Sequence, residues 1–192
     1  MKTFLKSIAA ALLALPGCSR FFETKVTEDP AMKDQSMHSI AFKTLEGQDA
    51  SFADWKGKVV LVVNVASECG YTPQYEGLEK LWKEKGSSGL VVVGFPSNEF
   101  GGQEPGTAAD IRTFCTQRFG VTFPLAEKCE TKAGPGQSPV YKMLGGATGS
   151  LPGWNFCKYL VGKDGKVVGF WNSKAAPDSA ELRAAIDKAL AS

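Results

Sequence analysis

Among the residues of this 192-residue chain, Cys69 has the type and setting best suited to chemistry. It lies within Asn64-Val65-Ala66-Ser67-Glu68-Cys69-Gly70-Tyr71-Thr72-Pro73. Before that block runs Val59-Val60-Leu61-Val62-Val63, an aliphatic stretch that predicts a strand buried on both faces. After it, Leu78, Leu81 and Trp82 recur at helical spacing, with Thr72 a candidate N-cap and Pro73 in the first helical position. A cysteine in such a strand-to-helix turn meets unpaired backbone N–H groups and the positive end of a helix dipole, which favour anionic sulfur. The competing reading is a buried structural thiol. The small or polar neighbours Ser67, Glu68, Gly70 and Thr72 argue against it. The other cysteines are Cys18, Cys115, Cys129 and Cys157, and the sole histidine, His38, reads as a surface residue. One histidine furnishes neither a Ser–His triad nor a multi-histidine metal site, so no metal and no cofactor are expected.

The elements that must position Cys69 follow from the patterning around it. Ser39 to Leu45 and Ala50 to Phe52, turning at Gly47-Gln48, form an expected N-terminal β-hairpin. The helix after Cys69 closes at Lys85-Gly86-Ser87-Ser88-Gly89, and Leu90-Val91-Val92-Val93-Gly94-Phe95 is a second apolar strand, completing a parallel βαβ unit. The loop from Pro96 to Gly106 therefore leaves the same rim of the sheet as Cys69, where open α/β sheets place their chemistry. Thr107 and Asp110 form a capping pair for a helix through Ile111, Phe114 and Cys115, ended by Gly120. Val121 to Ala126 reads as a short strand or extended crossing, and Val140 to Leu144 as a helical turn or two. Trp154 to Val161 and Lys166 to Trp171 read as strands joined at Lys163-Asp164-Gly165. A last helix covers about Asp178 to Leu190. This order, β-α-β-α-β-β-α, is the α/β thioredoxin-like arrangement: a mixed central sheet flanked by helices.

The amino terminus has a different character. A short basic start and the apolar run Ser7 to Leu15 read as a secretory signal, too brief for a mature membrane span. Leu15-Pro16-Gly17-Cys18 resembles the lipobox of bacterial lipoproteins, which makes Cys18 the expected lipidation site. The expected division is a signal over 1–17, a flexible tether over 18–37 and one domain over 38–192. The product is expected to be exported and membrane-anchored, on the periplasmic face in a Gram-negative source. Once Lys2 and Lys6 leave with the signal, basic and acidic residues balance at 20 each. Such a body offers no electrostatic footprint for nucleic acid.

Within thioredoxin-like folds, a disulfide oxidoreductase carries a second cysteine three residues after the first, where this chain has Thr72. A copper chaperone carries one four residues on, where Pro73 stands. A thiolate without an adjacent partner suits an electrophile other than a disulfide. Peroxide is the obvious candidate, leaving a sulfenic acid.

Three blocks then carry a close resemblance. Asn64 to Thr72, Gly94-Phe95-Pro96-Ser97-Asn98-Glu99-Phe100-Gly101-Gly102-Gln103-Glu104-Pro105 and Trp154-Asn155-Phe156 resemble, in order, the signature blocks of the glutathione peroxidase family. The resemblance spans about Ser39 to Leu190, and it implies a peroxidatic role for Cys69 with Gln103, Trp154 and Asn155 as its partners. Their amide and indole N–H groups are neutral donors, able to stabilise sulfur anion and the charge on a departing oxygen. Ser97 and Glu99 depart from the Cys and Gln frequent in the second block. With cysteine in place of selenocysteine, the resemblance implies a slower attack and a thioredoxin-like reductant, with glutathione the less favoured alternative. Cys115 matches the resolving cysteine of such members, and the helix holding it would have to unwind to reach Cys69. Cys129 and Cys157 are expected as free thiols, with a structural bridge the alternative. The short segment between Tyr141 and Trp154 resembles the monomeric branch that accepts phospholipid hydroperoxides. The competing functions are a thioredoxin-fold thiol–disulfide carrier and a non-catalytic binding lipoprotein.

Overall fold

In the computed structural model, residues 23–192 are described. The expected signal and Cys18 lie outside them. The centre is a four-stranded mixed sheet in the order β5-β4-β7-β8. It is built from β4 (Val59–Val65), β5 (Leu90–Pro96), β7 (Lys158–Val161) and β8 (Val167–Trp171). β4 and β5 run parallel, with Val63 opposite Gly94, whereas β7 pairs antiparallel with both β4 and β8. Every residue of β4 and β5 is buried, as the unbroken aliphatic runs require for strands covered on both sides.

Strand alternation divides the core into two layers. Val59, Leu61, Val63 and Val65 face a cluster with Leu78 and Leu81 of α2 (Gln74–Lys85), Ile111 of α3 (Ala108–Phe119), and Leu182 and Ile186 of α5 (Ala180–Ala191). Val60 and Val62 face the opposite cluster, with Val140, Tyr141 and Leu144 of α4 (Pro139–Thr148). The hairpin β2 (Ala41–Lys43) and β3 (Asp49–Ser51) forms as expected, though shorter. α3 begins with the Thr107/Asp110 capping box and ends on Gly120 in the left-handed region.

Three expectations need correction. The stretch assigned to a tether is folded from Glu23 onward: β1 (Glu23–Lys25) pairs with β6 (Ser150–Pro152), α1 (Pro30–Asp34) is capped by Asp29, and Met37 is fully buried. Its anchors are the apolar Val26 and Met32, which pack on the α4 layer. Thr72 does not cap α2, because its hydroxyl is used inside the preceding turn. The strand expected from Trp154 starts only at Lys158, since Phe156 takes a φ of 64° and breaks the extended path. Of the two readings of Val121 to Ala126, the extended crossing is the one formed, with isolated bridges such as Leu125 with Gly94.

Candidate active site

The turn bearing Cys69 is closed by its own polar atoms. Thr72 Oγ1 donates to the Ala66 carbonyl at 2.8 Å and accepts from the Cys69 N–H at 3.0 Å, while the Thr72 N–H returns to the Cys69 carbonyl at 3.0 Å. This bracket leads into α2 and leaves the Cys69 sulfur 3.4 Å from the Tyr71 N–H, which donates to it. Cys69 is 8% exposed, between the exposed Glu68 and Gly70. Cys69 thus sits where the core cluster it belongs to meets the exposed rim.

The second block reaches the same rim through two successive left-handed glycines, Gly101 (φ 71°) and Gly102 (φ 66°). Side chains other than glycine pay a steric penalty there. That reversal lets the Gln103 carbonyl accept the Glu68 N–H at 3.0 Å, tying the glutamine loop to the cysteine turn. The ring of Trp154 lies against Gly101, where an added Cβ would meet it at 3.5 Å, and its centroid is 6.2 Å from that of Phe100. Glu99 fixes the loop from behind. One of its carboxylate oxygens accepts from Thr131 Oγ1 at 2.9 Å, from the Lys132 N–H at 3.1 Å and from the Thr131 N–H. The Lys132 ammonium spans the Glu99 carbonyl and the Phe100 ring. The departure from Gln at this position therefore installs an anchored carboxylate that makes structural bonds.

The third block is held by Asn64, a buried amide at the end of the aliphatic strand. Its Nδ2 donates to the Trp154 carbonyl at 3.0 Å and its Oδ1 accepts the Cys157 N–H at 2.9 Å. Phe156 is the one non-glycine residue with positive φ among the described residues, a strained conformation that such bonds can hold in place. The result presents Asn155, fully buried, with its Nδ2 donating to Gln103 Oε1 at 3.0 Å. Lys158, also fully buried, donates from below to the Phe156 carbonyl at 2.8 Å and to the side chain of Gln74, the first residue of α2. Burial pushes its amine down to about 7.

Of the expected site residues, Gln103 and Asn155 are therefore directly joined. Trp154 packs against the cluster that contains Cys69. Cys115 belongs to the same cluster, but it is enclosed in the middle of an intact α3, and neither it nor Cys69, Cys129 or Cys157 forms a disulfide. The alternative of a Cys129–Cys157 bridge is thus not realised. Cys157 instead sits 3.4 Å from the Trp154 carbonyl and 3.6 Å from Ser173 Oγ. Burial raises the Cys115 thiol to about 11 and the Cys129 thiol to about 12. Three residues of this region escaped the sequence reading: Asn64, Lys158 and Glu104. An amide closing an aliphatic run, and a lysine at an inward position of a strand, were the available signals for the first two.

A rim cysteine given a backbone donor, beside a glutamine–asparagine pair and an indole on a thioredoxin-like scaffold, defines a thiol-based peroxidase. Comparisons with known proteins agree. The glutathione peroxidase family model matches residues 37–145. The chain is 43% identical to the hydroperoxy fatty acid reductase gpx1 of Synechocystis sp., covering 83% of this chain and 99% of that protein. It is 46% identical to the glutathione peroxidase-like peroxiredoxin GPX5 of Chlamydomonas reinhardtii, with the same coverage of both. The crystal structure of Trgpx in its apo form superposes with a TM-score of 0.66 at 34% identity, covering 83% of this chain and 97% of that one. A thioredoxin-family thiol:disulfide interchange protein from Chlorobium tepidum shares the fold at a TM-score of 0.58 and 19% identity, covering 79% of this chain and 92% of the other. The chain belongs to the glutathione peroxidase family and is a peroxidase.

Proposed function

We propose that the protein reduces hydrogen peroxide and organic hydroperoxides, phospholipid hydroperoxides among them, through Cys69. The Cys69 thiolate attacks one peroxide oxygen, the O–O bond breaks, and the second oxygen leaves as an alkoxide or hydroxide that takes a proton from water. Cys69 is left as a sulfenic acid. Gln103, Trp154 and Asn155 supply the neutral donors for the sulfur and for the departing oxygen. Cys115 then attacks the sulfenic sulfur, a disulfide forms and water departs. A thioredoxin-like dithiol restores both thiols, glutathione being the weaker alternative. The observation that carries this reading is the sulfur at the rim with the Tyr71 N–H on it and the Gln103–Asn155 pair tied to its turn.

Unwinding α3 is physically accessible, since only Ile111 and Cys115 of its twelve residues are buried. With a thioredoxin as reductant, Cys115→Ser is expected to lower steady-state turnover by roughly 10²-fold or more while sulfenic acid still forms. Turnover equal to wild type, or faster recycling by glutathione than by thioredoxin, would contradict the resolving role and the choice of reductant.

The substrate class is supported by the Synechocystis relative's name and by the short connection from α4 to Trp154. The Leu15-Pro16-Gly17-Cys18 motif supports export and lipid anchoring of a monomeric enzyme beside membrane peroxides. Cys18→Ala is expected to move the protein from the membrane to the soluble fraction and to end labelling by a fatty acid. Membrane association that survives this change would refute the anchor.

A further inference from the structure

The loop between β5 and α3 holds a carboxyl group that the peroxide chemistry does not use. Glu104 follows Gln103, lies three residues before the capping Thr107, and is fully buried. Neither of its oxygens makes a well-formed hydrogen bond, nor does the buried Ser67 Oγ; Ser67 is the polar group nearest the carboxyl and offsets its burial only in part. Both residues face a cavity of about 220 Å³. One wall of that cavity is Ser67 and Glu68, immediately before Cys69; the other is Asp110, Ile111 and Phe114 of α3, the helix carrying Cys115. An orphaned buried carboxyl is rare, because burial without a partner is costly. Here it stands between the turn that would bear the sulfenic acid and the helix that must open to reach it.

We propose that Glu104 is the proton acceptor for Cys115 as that thiol attacks the sulfenic acid on Cys69. The inference rests on the resolving role of Cys115 proposed above. The Cys115 thiol proton passes to the Glu104 carboxylate and the Cys115 sulfur bonds to the Cys69 sulfur. The S–O bond breaks, and the departing hydroxide takes that proton and leaves as water, so Glu104 is regenerated. The need for a base is plain, since the thiolate is the attacking species and Cys115 holds its proton up to about 11. Burial raises Glu104 to about 7, opposed by Ser67 and Lys128 and reinforced by Glu68. A base with that value holds comparable amounts of both protonation states at neutral pH, which suits proton transfer. Among the other ionisable neighbours, Asp110 is engaged in its capping box, the Tyr75 hydroxyl and the Arg112 charge both lie near Cys115 and favour its thiolate, and Tyr75 and Cys115 each feel the Glu104 charge.

The test is rapid mixing of the reduced protein with excess peroxide, with the Cys69–Cys115 disulfide quantified by acid quench and mass spectrometry across pH 5.5 to 9. In wild type the disulfide-forming phase is expected to rise with pH and level off above about 7. In Glu104→Gln that phase is expected to slow by about 10²-fold at neutral pH, with its rise moved into the alkaline range of the thiol. Glu104→Asp, which keeps the carboxyl, is expected to retain the neutral inflection at a reduced rate. That variant carries the test if the amide variant does not fold. An unchanged rate or an unchanged inflection in Glu104→Gln, or no neutral inflection in Glu104→Asp, would overturn the proposal. Absence of any Cys69–Cys115 linkage in wild type would instead sink the resolving role, before Glu104 is at issue.

Discussion

Cys69→Ser is expected to lower peroxide reduction by at least about 10³-fold, to the background rate of the free reductant, because a hydroxyl does not replace the thiolate as nucleophile. The fold should be little disturbed. The serine side chain is smaller, and the Tyr71 N–H that donates to sulfur at 3.4 Å can donate to an oxygen in its place. Loss of activity without loss of stability separates chemistry from folding at this position. Removing one donor is a smaller change: Gln103→Ala or Trp154→Phe is expected to cost about 10²-fold, the scale of a single lost transition-state hydrogen bond. If the serine variant kept a tenth of wild-type turnover, the reacting group would have to lie elsewhere.

Lys158→Met should reveal itself in stability as a function of pH. The Lys158 amine titrates at about 7 in the folded protein, against about 10.4 for a lysine in an unfolded chain. Below about 7 both states hold the proton, and the folded wild type carries the penalty of a buried ammonium. Between about 7 and 10.4 only the unfolded chain binds it, so raising the pH through that window favours the folded wild type, by up to about 1.4 kcal/mol per pH unit. The neutral amine keeps two N–H donors, matching its two acceptors, the Gln74 side chain and the Phe156 carbonyl. Methionine has no proton to gain or lose. The wild-type minus variant stability, from chemical denaturation under reducing conditions, is therefore expected to increase by about 3 kcal/mol from pH 6.5 to 9.5. The buried thiols of Cys115, Cys129 and Cys157 act in the opposite sense at high pH, but they are common to both proteins and cancel in the difference. A flat difference would show that Lys158 holds its proton throughout.

The parts of the molecule legible in the sequence are those whose physics is local. The aliphatic runs became β4 and β5 because nothing polar interrupts them, the Thr107/Asp110 pair capped α3, and Gly120 ended it. The blocks around Cys69 and Gln103 reached one rim because the parallel βαβ unit brings its two loops to the same sheet end, and Trp154-Asn155 joins them because β7 runs antiparallel to β4. What escaped depended on distant partners. The polar stretch after Ser19 gave no periodicity, yet from Glu23 it is folded through β1 pairing with β6 and through Met32 beside Gly146 of α4. Thr72 carried the marks of an N-cap, but closure of the cysteine turn took its hydroxyl first. The Trp154 block looked like the start of a strand, and only the Asn64 amide explains why the chain turns at Phe156 instead. Glu104 was read as one letter of a motif, and its isolation appears only when α3 and the cysteine turn are placed on either side of it.

The central claim is that the Cys69 sulfur is the atom that meets the O–O bond. Its most direct test is to treat reduced Cys115→Ser protein with one equivalent of hydroperoxide, in the presence of a sulfenic-acid-selective nucleophile, and to map the adduct by peptide mass spectrometry. A stoichiometric adduct on Cys69 is expected, with none on Cys129 or Cys157. An unmodified Cys69 with peroxide consumed, or an adduct confined to another cysteine, would contradict it.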